Sequence, residues 1–174
     1  MSTTYLRKTT KADLPQISAI IADAKDYLKQ QKIDQWQNGY PAAQNLLADI
    51  NNGISYVLII DGQIAGTAAL WQGIDVNYLA IEDGTWQNGI EARYTAIHRI
   101  ALSSSFRGKH LSEKLISGLL TISRALGYRD VRIDTHPDNL GMQHVIKTNG
   151  FDYRGIVFMQ ADGSKRLAYQ LLLE

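Results

Sequence analysis

The sequence predicts a mixed α/β domain, and three observations carry that prediction. Segments of helical and strand periodicity alternate along the chain. Asp61-Gly62 and Asp162-Gly163 are turn signals between apolar runs. One long amphipathic pattern joins two strands, as a parallel crossover requires. The 174 residues suit one domain, 1–174, able to bury roughly 70% of the surface of its unfolded chain.

Tyr5–Lys8 reads as a first strand. Leu14, Ile17, Ile20, Ile21, Ala24 and Leu28 recur at helical spacing, with Asp13 as N-cap and Pro15 in the first turn. A second helix over 42–51 ends at Asn52-Gly53. Tyr56–Ile60 and Ile64–Leu70 flank Asp61-Gly62, a type I′ hairpin. Tyr94–Leu102 is the next strand. Leu111, Leu115, Ile116, Leu119, Leu120 and Ile122 line a helix from about Lys109 to Leu126, stopped by Gly127. Val131–Thr135 is a strand, and Leu140–Asn149 a helix that stops at Gly150. Phe151–Met159 and Leu167–Leu173 close the chain as strands.

Eighteen Lys and Arg stand against seventeen Asp and Glu, so the net charge is +1. That balance argues against a general nucleic-acid or membrane-surface binder. The lack of cysteine excludes disulfides, thiolate nucleophiles and Cys-ligated zinc. No run reaches the ~18 apolar residues of a membrane span, and the N-terminal MSTTYLRKTTKADLP has no apolar signal core. A cytoplasmic protein is expected. Residues 93–132 nevertheless carry eight basic and two acidic side chains, net +6, against a net −4 over residues 1–92. Chance placement explains such a bias, and so does an anion site in the middle segment.

Strand Tyr94–Leu102 leads into Ser103-Ser104-Ser105-Phe106-Arg107-Gly108-Lys109-His110-Leu111-Ser112 and the long helix. A strand, a polar Gly-containing turn and a helix start form an anion cradle, because first-turn N–H groups are unpaired and the helix dipole favours negative charge. Neither a Walker A loop nor a dinucleotide fingerprint is present. Arg107 to Ser112 resembles the phosphate loop of the GCN5-related N-acetyltransferase (GNAT) superfamily, [Q/R]-x-x-G-x-[G/A], with His110 in place of the usual Gly and Ser112 in place of the last small residue. Asn139, Gly150 and Phe151 match a second motif of that family at its spacing, and Lys147 sits one residue before the usual Lys.

The resemblance implies a mixed central sheet of about seven strands with helices on both faces. It implies direct transfer of acetyl from acetyl-CoA to an amine through a tetrahedral intermediate, with no metal. The pyrophosphate would lie on Arg107, Gly108, Lys109, His110, Leu111 and Ser112. The pantetheine would lie along the backbone of Ile100, Ala101 and Leu102, and Asn139 would contact it or cap the next helix. An amine of pKa ~10.4 is only about 1 part in 2,500 neutral at pH 7, so a base helps. His98, nine residues before Arg107, takes that role in some relatives at the same offset. Glu82 is the alternative. The family's acid is a Tyr seven residues after the Asn. Ile146 stands there, which leaves Tyr153, water or unassisted thiolate departure.

Trp36 and Tyr40, between the first two helices, line the acceptor site or pack their loop. Trp71, Tyr78 and Trp86 come from the third strand and a polar loop of roughly twenty residues, a length often tied to function, and Trp71 and Tyr78 are further candidates to bind the substrate. His136 and His144 have no metal-site spacing. The acceptor is a small-molecule amine or a protein amino group, and the oligomeric state stays open, with a homodimer among the options. Two other readings compete: a non-catalytic acyl-CoA sensor of the same fold, motivated by Ile146 and His110, and an unrelated phosphate-ligand binder.

Overall fold

The computed structural model describes residues 2–106 and 108–174. Its strands are β1 (Thr4–Lys8), β2 (Ser55–Ile60), β3 (Gln63–Gln72), β4 (Tyr94–Leu102), β5 (Asp130–Thr135), β6 (Asp152–Phe158) and β7 (Lys165–Leu172). Its helices are α1 (Leu14–Gln30), α2 (Ala43–Asn51), α3 (Leu111–Ala125) and α4 (Leu140–Thr148). The strands form one mixed seven-stranded sheet in the order β1-β2-β3-β4-β5-β7-β6, so the α/β class and the strand number hold. The element order is the one the periodicities predict. One boundary moves for a clear reason: α3 starts at Leu111 rather than Lys109, because Gly108 and His110 have φ of +79° and +52°, outside the helical basin. Among the described residues, no helix is long and apolar enough to cross a membrane.

The chain makes two compact units, each with its own core. The first runs to Leu70 and adds Arg99–Leu119. In it β1 pairs antiparallel with β2, and β2 with β3. Asp61 and Gly62 both take positive φ, +47° and +80°, as a type I′ turn demands. Ile17, Ile20 and Ile21 of α1, Leu46 of α2, Val57, Ile59 and Ile64 of the hairpin and Ala101 of β4 bury together. The expected N-cap behaves differently. Asp13 makes no side-chain cap to α1. Its carboxylate instead accepts from the Thr10 N–H at 2.7 Å and pairs with Arg7 Nη1 at 2.7 Å. A 3₁₀ turn, Lys11–Asp13, intervenes before the helix. Gly66 is needed where β3 passes the end of β4. A Cβ there would lie 2.7 Å from Leu102 Cδ2 and 3.1 Å from the Ala101 carbonyl.

The second unit comprises Trp71–His98 and Leu120–Glu174. Here β4 pairs parallel with β5 from Tyr94↔Asp130 to Ile97↔Ile133. The ladder ends there, although β5 runs on to Thr135. Antiparallel β7 joins β5 to β6. Tyr78, Trp86, Tyr94, Ala96, Val157 and Ala168 form the core. Arg132 is fully buried within it. Its guanidinium lies 4.4 Å from the Trp86 ring and 3.9 Å from the Tyr94 ring, and it pairs with Asp130 at 2.9 Å. Two aromatic faces and a carboxylate replace the water such a cation loses.

Candidate active site

The second unit holds a histidine oriented by a carboxylate. His98 Nε2 lies 2.7 Å from Asp75 Oδ2. The other oxygen, Asp75 Oδ1, accepts from the backbone N–H and the side-chain amide of Asn77, each at 2.9 Å, and the Asp75 N–H donates to Tyr94 Oη at 2.6 Å. Burial raises the Asp75 carboxyl, but the His98 hydrogen bond and charge and the Asn77 donors outweigh it, leaving the carboxyl below its ordinary range. An ionised carboxylate only accepts, so Nε2 carries a proton, and in the neutral imidazole Nδ1 presents a lone pair. Nδ1 has no hydrogen bond among the described residues. The Tyr78 ring packs 5.9 Å from the imidazole, and its hydroxyl donates to Asp134 Oδ2 at 2.7 Å. Burial raises Asp134 despite the opposing charges of His98 and Arg166.

Asp75 carried no signal in the sequence. It sits in the long connection after β3, and only packing brings it to His98. Tyr78 proves to be fully buried, with its ring on His98 and no face toward solvent. Trp86 is buried too, donating Nε1–H to the Tyr78 carbonyl at 2.9 Å. Trp71 is 37% exposed and its indole N–H reaches the Ile74 carbonyl at 3.4 Å. Glu82 has an exposed side chain. Its backbone exchanges two 2.8 Å hydrogen bonds with Ile156. That bridge is close because Gly155 has no side chain: a Cβ there would fall 2.5 Å from the Glu82 carbonyl. Tyr153 is half exposed, edge-on to Tyr169 at 5.7 Å. The Asn139 side chain accepts from the Met142 N–H at 3.1 Å, so its oxygen caps α4. Ile146 is fully buried core.

The first unit holds the loop and the other aromatic residues. Arg107 lies outside the described residues. Ser103 N–H donates to the Ala65 carbonyl at 2.8 Å, and Ser104–Phe106 is a 3₁₀ turn tied to Asp23 through Ser104 at 2.9 Å. Gly108, Lys109 and His110 are exposed, Ser112 is half-buried, and Leu111 is buried and anchors the start of α3. Among the described residues, and apart from the neighbours of Gly108 in the chain, no heavy atom lies within 4 Å of where a Cβ on Gly108 would stand. Lys109 and Lys114 line a cleft of about 360 Å³ with Ser2, Asp61, Gln63 and Phe106. Ile100 and Leu102 are half-buried and Ala101 is buried. Trp36 packs on the first core, with φ of +62°. Tyr40 is 40% exposed and accepts from Arg99 Nη1 at 2.6 Å.

The basic excess of residues 93–132 is not gathered at the loop. Arg132 serves the second core and Arg99 pairs with Asp49. Arg93 stacks 4.4 Å over Tyr128, and Arg124 donates to the Glu174 carbonyl at 2.9 Å. Side-chain length lets neighbouring positions reach separate partners, which a segment charge count hides. Among the described residues, no group of three or more His, Asp or Glu side chains is arranged to hold a metal ion.

Residues 21–151 match the model of the acetyltransferase (GNAT) family. The structure of a GNAT-family acetyltransferase from Streptococcus agalactiae 2603 is 36% identical, with a TM-score of 0.89 over 98% of this chain and 96% of that one. A GNAT-family acetyltransferase from Listeria monocytogenes 4b F2365 shares the fold at 20% identity, TM-score 0.76, over 98% and 95% of the two chains. So does yncA, a putative acetyltransferase from Salmonella typhimurium seen with its cofactor acetyl-CoA, at 16% identity, TM-score 0.68, over 98% and 94%. No curated protein matches. A family match across most of the chain, and a 36% identical relative sharing nearly its whole length, make this chain a member of the GNAT acetyltransferase family.

Proposed function

We propose that the protein is an acetyl-CoA-dependent N-acetyltransferase that moves acetyl directly to a primary amine of a small molecule or a protein. The observation that carries this reading is the Asp75-oriented His98 on the strand that runs into the phosphate loop. The room beside Gly108 among the described residues fits a bound pyrophosphate. Gly108, Lys109, His110 and the first-turn N–H groups of α3 would hold it, with Arg107. Acetyl-CoA, when bound, supplies an acetyl group activated as a thioester.

The protein's own residues supply the proton chemistry. His98 Nδ1 takes a proton from the acceptor amine, and the Nε2–H···Asp75 pair stabilises the resulting imidazolium. Direct transfer suits a chain with no cysteine to carry an acyl group. The buried Ile146 favours one alternative, a non-catalytic acyl-CoA-binding or sensor module, because α4 offers no proton donor there. A free-thiol assay with acetyl-CoA across a broad amine panel separates the two. Amine-dependent thiol release supports the enzyme. Tight acetyl-CoA binding with no release across the panel supports the sensor.

A further inference from the structure

We propose that Asp134 positions His98 for catalysis, by anchoring the Tyr78 ring that packs against the imidazole. The inference rests on the acetyltransferase reading and adds a positioning residue to its proton chemistry. His98, Asp75, Tyr78 and Asp134 all belong to the second unit. Tyr94↔Asp130 and Ala96↔Arg132 are same-face neighbours in the parallel ladder of β4 and β5. Strand alternation carries His98 and Asp134 to that same face, just past the last pair, Ile97↔Ile133. Asp134 is held there with its side chain 10% exposed, Oδ1 lying 3.9 Å from Arg166 Nε and Oδ2 accepting from Tyr78 Oη at 2.7 Å.

The segment from Asp75 to Tyr78 grips His98 at two points. The Asp75 carboxylate meets Nε2 at 2.7 Å, and the Tyr78 ring lies 5.9 Å from the imidazole at 50° to it. The Tyr78 N–H donates to the Asp75 carbonyl at 2.9 Å, so the two contacts move together. Trp86 Nε1–H holds the Tyr78 carbonyl at 2.9 Å. The tip of the ring is tied to β5: among the described residues, the hydroxyl's hydrogen bond goes to Asp134. Tyr78 is completely buried, so without Asp134 its hydroxyl would have neither a partner nor water. A phenylalanine ring against an apolar side chain would fill the same space without burying a carboxyl. The polar pair adds direction, which apolar contact lacks. It fixes where the ring stands against His98, and a misplacement of about 1 Å near a reacting group costs up to the order of 10²-fold in rate.

The test uses the full-length protein, amine-dependent thiol release from acetyl-CoA, and thermal unfolding. Asp134→Leu and Tyr78→Phe break the anchor. Each should lower kcat by on the order of 10-fold and leave the acetyl-CoA KM within about 2-fold. Asp134→Asn keeps an acceptor for Tyr78, so its kcat should stay within about 3-fold of wild type. Val131→Ala empties buried space on the opposite face of the same strand, and should lower Tm with kcat unchanged, as lost stability alone would. Rates are compared at a temperature where every variant is folded. Wild-type kcat in Tyr78→Phe overturns the proposal, and that variant decides if Asp134→Leu does not fold. A fall in Asp134→Asn as deep as in Asp134→Leu or Tyr78→Phe also overturns it, because the lost charge rather than the lost acceptor is then at work. If wild type turns over no amine, the acetyltransferase reading fails instead, and the imidazole nitrogens decide Asp134. Proton–nitrogen correlation spectra of the four histidines, recorded with the imidazoles neutral and His98 assigned by its loss in His98→Ala, report the tautomer. Wild type and Asp134→Asn should show Nε2–H at His98, and Tyr78→Phe should admit Nδ1–H. The same tautomer ratio in wild type and Tyr78→Phe overturns the proposal.

Discussion

His98 and Asp75, 23 residues apart in sequence, meet with Nε2 2.7 Å from Oδ2. Because Asn77 donates twice to Asp75 Oδ1, the oxygen facing His98 is fixed. In Asp75→Asn those Asn77 donors hold the new carbonyl oxygen, and the amide NH₂ turns to His98. That forces the imidazole proton onto Nδ1 and removes the lone pair that would accept from the amine. We expect kcat to fall by on the order of 10²-fold, with acetyl-CoA KM little changed. His98→Ala lowers kcat by a similar or larger factor, mainly below about pH 8, since at higher pH more of the amine is already neutral. Thiol-release kinetics from pH 6 to 9 check both. An unchanged kcat in either variant removes the pair from the mechanism.

The phosphate loop carries a misfit of residue and backbone. His110 occupies φ +52° at the position where the family's motif usually has Gly. Left-handed backbone costs a non-glycine residue about 1 kcal/mol, part of which glycine returns through its own chain entropy. His110→Gly should therefore raise Tm by about 2 °C and lower the KM for acetyl-CoA. Arg107→Ala should raise that KM. Thermal unfolding and initial-rate kinetics measure these effects, and an unaltered KM in Arg107→Ala would contradict the pyrophosphate assignment.

Gly66 is where β3 makes room for β4. A methyl there meets Leu102 Cδ2 at 2.7 Å and the Ala101 carbonyl at 3.1 Å. The Leu102 methyl can swing aside, but the carbonyl moves only with its strand. Gly66→Ala should cost about 1–2 kcal/mol by urea unfolding. The displaced Ala101 and Leu102 should also weaken acetyl-CoA binding. Wild-type affinity in a destabilised variant would separate this strand segment from the cofactor.

The two carboxylates near His98 bias stability in opposite directions with pH. Asp75 lies below its ordinary value, so its contribution is present above the unfolded value near 3.8 and is lost as pH falls through its folded value. Asp134 is raised by burial, so the folded state holds its proton more tightly than the unfolded one. Its contribution is present below 3.8 and is lost as pH rises through the raised value. Asp134→Asn still accepts from Tyr78 and does not ionise. Relative to wild type, the variant should be more stable at pH 7 than it is at pH 4. Urea titrations at both pH values provide the comparison, and an equal difference at the two would rule out the raised carboxyl.

The elements were legible because their signals are local. Asp61-Gly62 needs only its own backbone to turn a hairpin, and the apolar spacing from Leu14 to Leu28 needs only helical geometry to gather one face. The phosphate loop was legible for the same reason, as a contiguous string between a strand and a helix. Asp13 marks the limit of such reasoning: a good N-cap by type, it is drawn instead to Arg7 and Thr10. The partners of the half-buried and buried polar side chains lie farther apart in sequence. His98 meets Asp75 across 23 residues, Arg99 meets Asp49 across 50, and Tyr78 meets Asp134 across 56. Nothing in the local pattern favours these partners over the other carboxylates, since any Asp suits any of them chemically. Packing chooses, by burying certain side chains where an unpaired charge or hydroxyl would be costly. The family and the loop could thus be read from residue order, whereas the carboxylate that orients His98 is chosen only once the chain has folded.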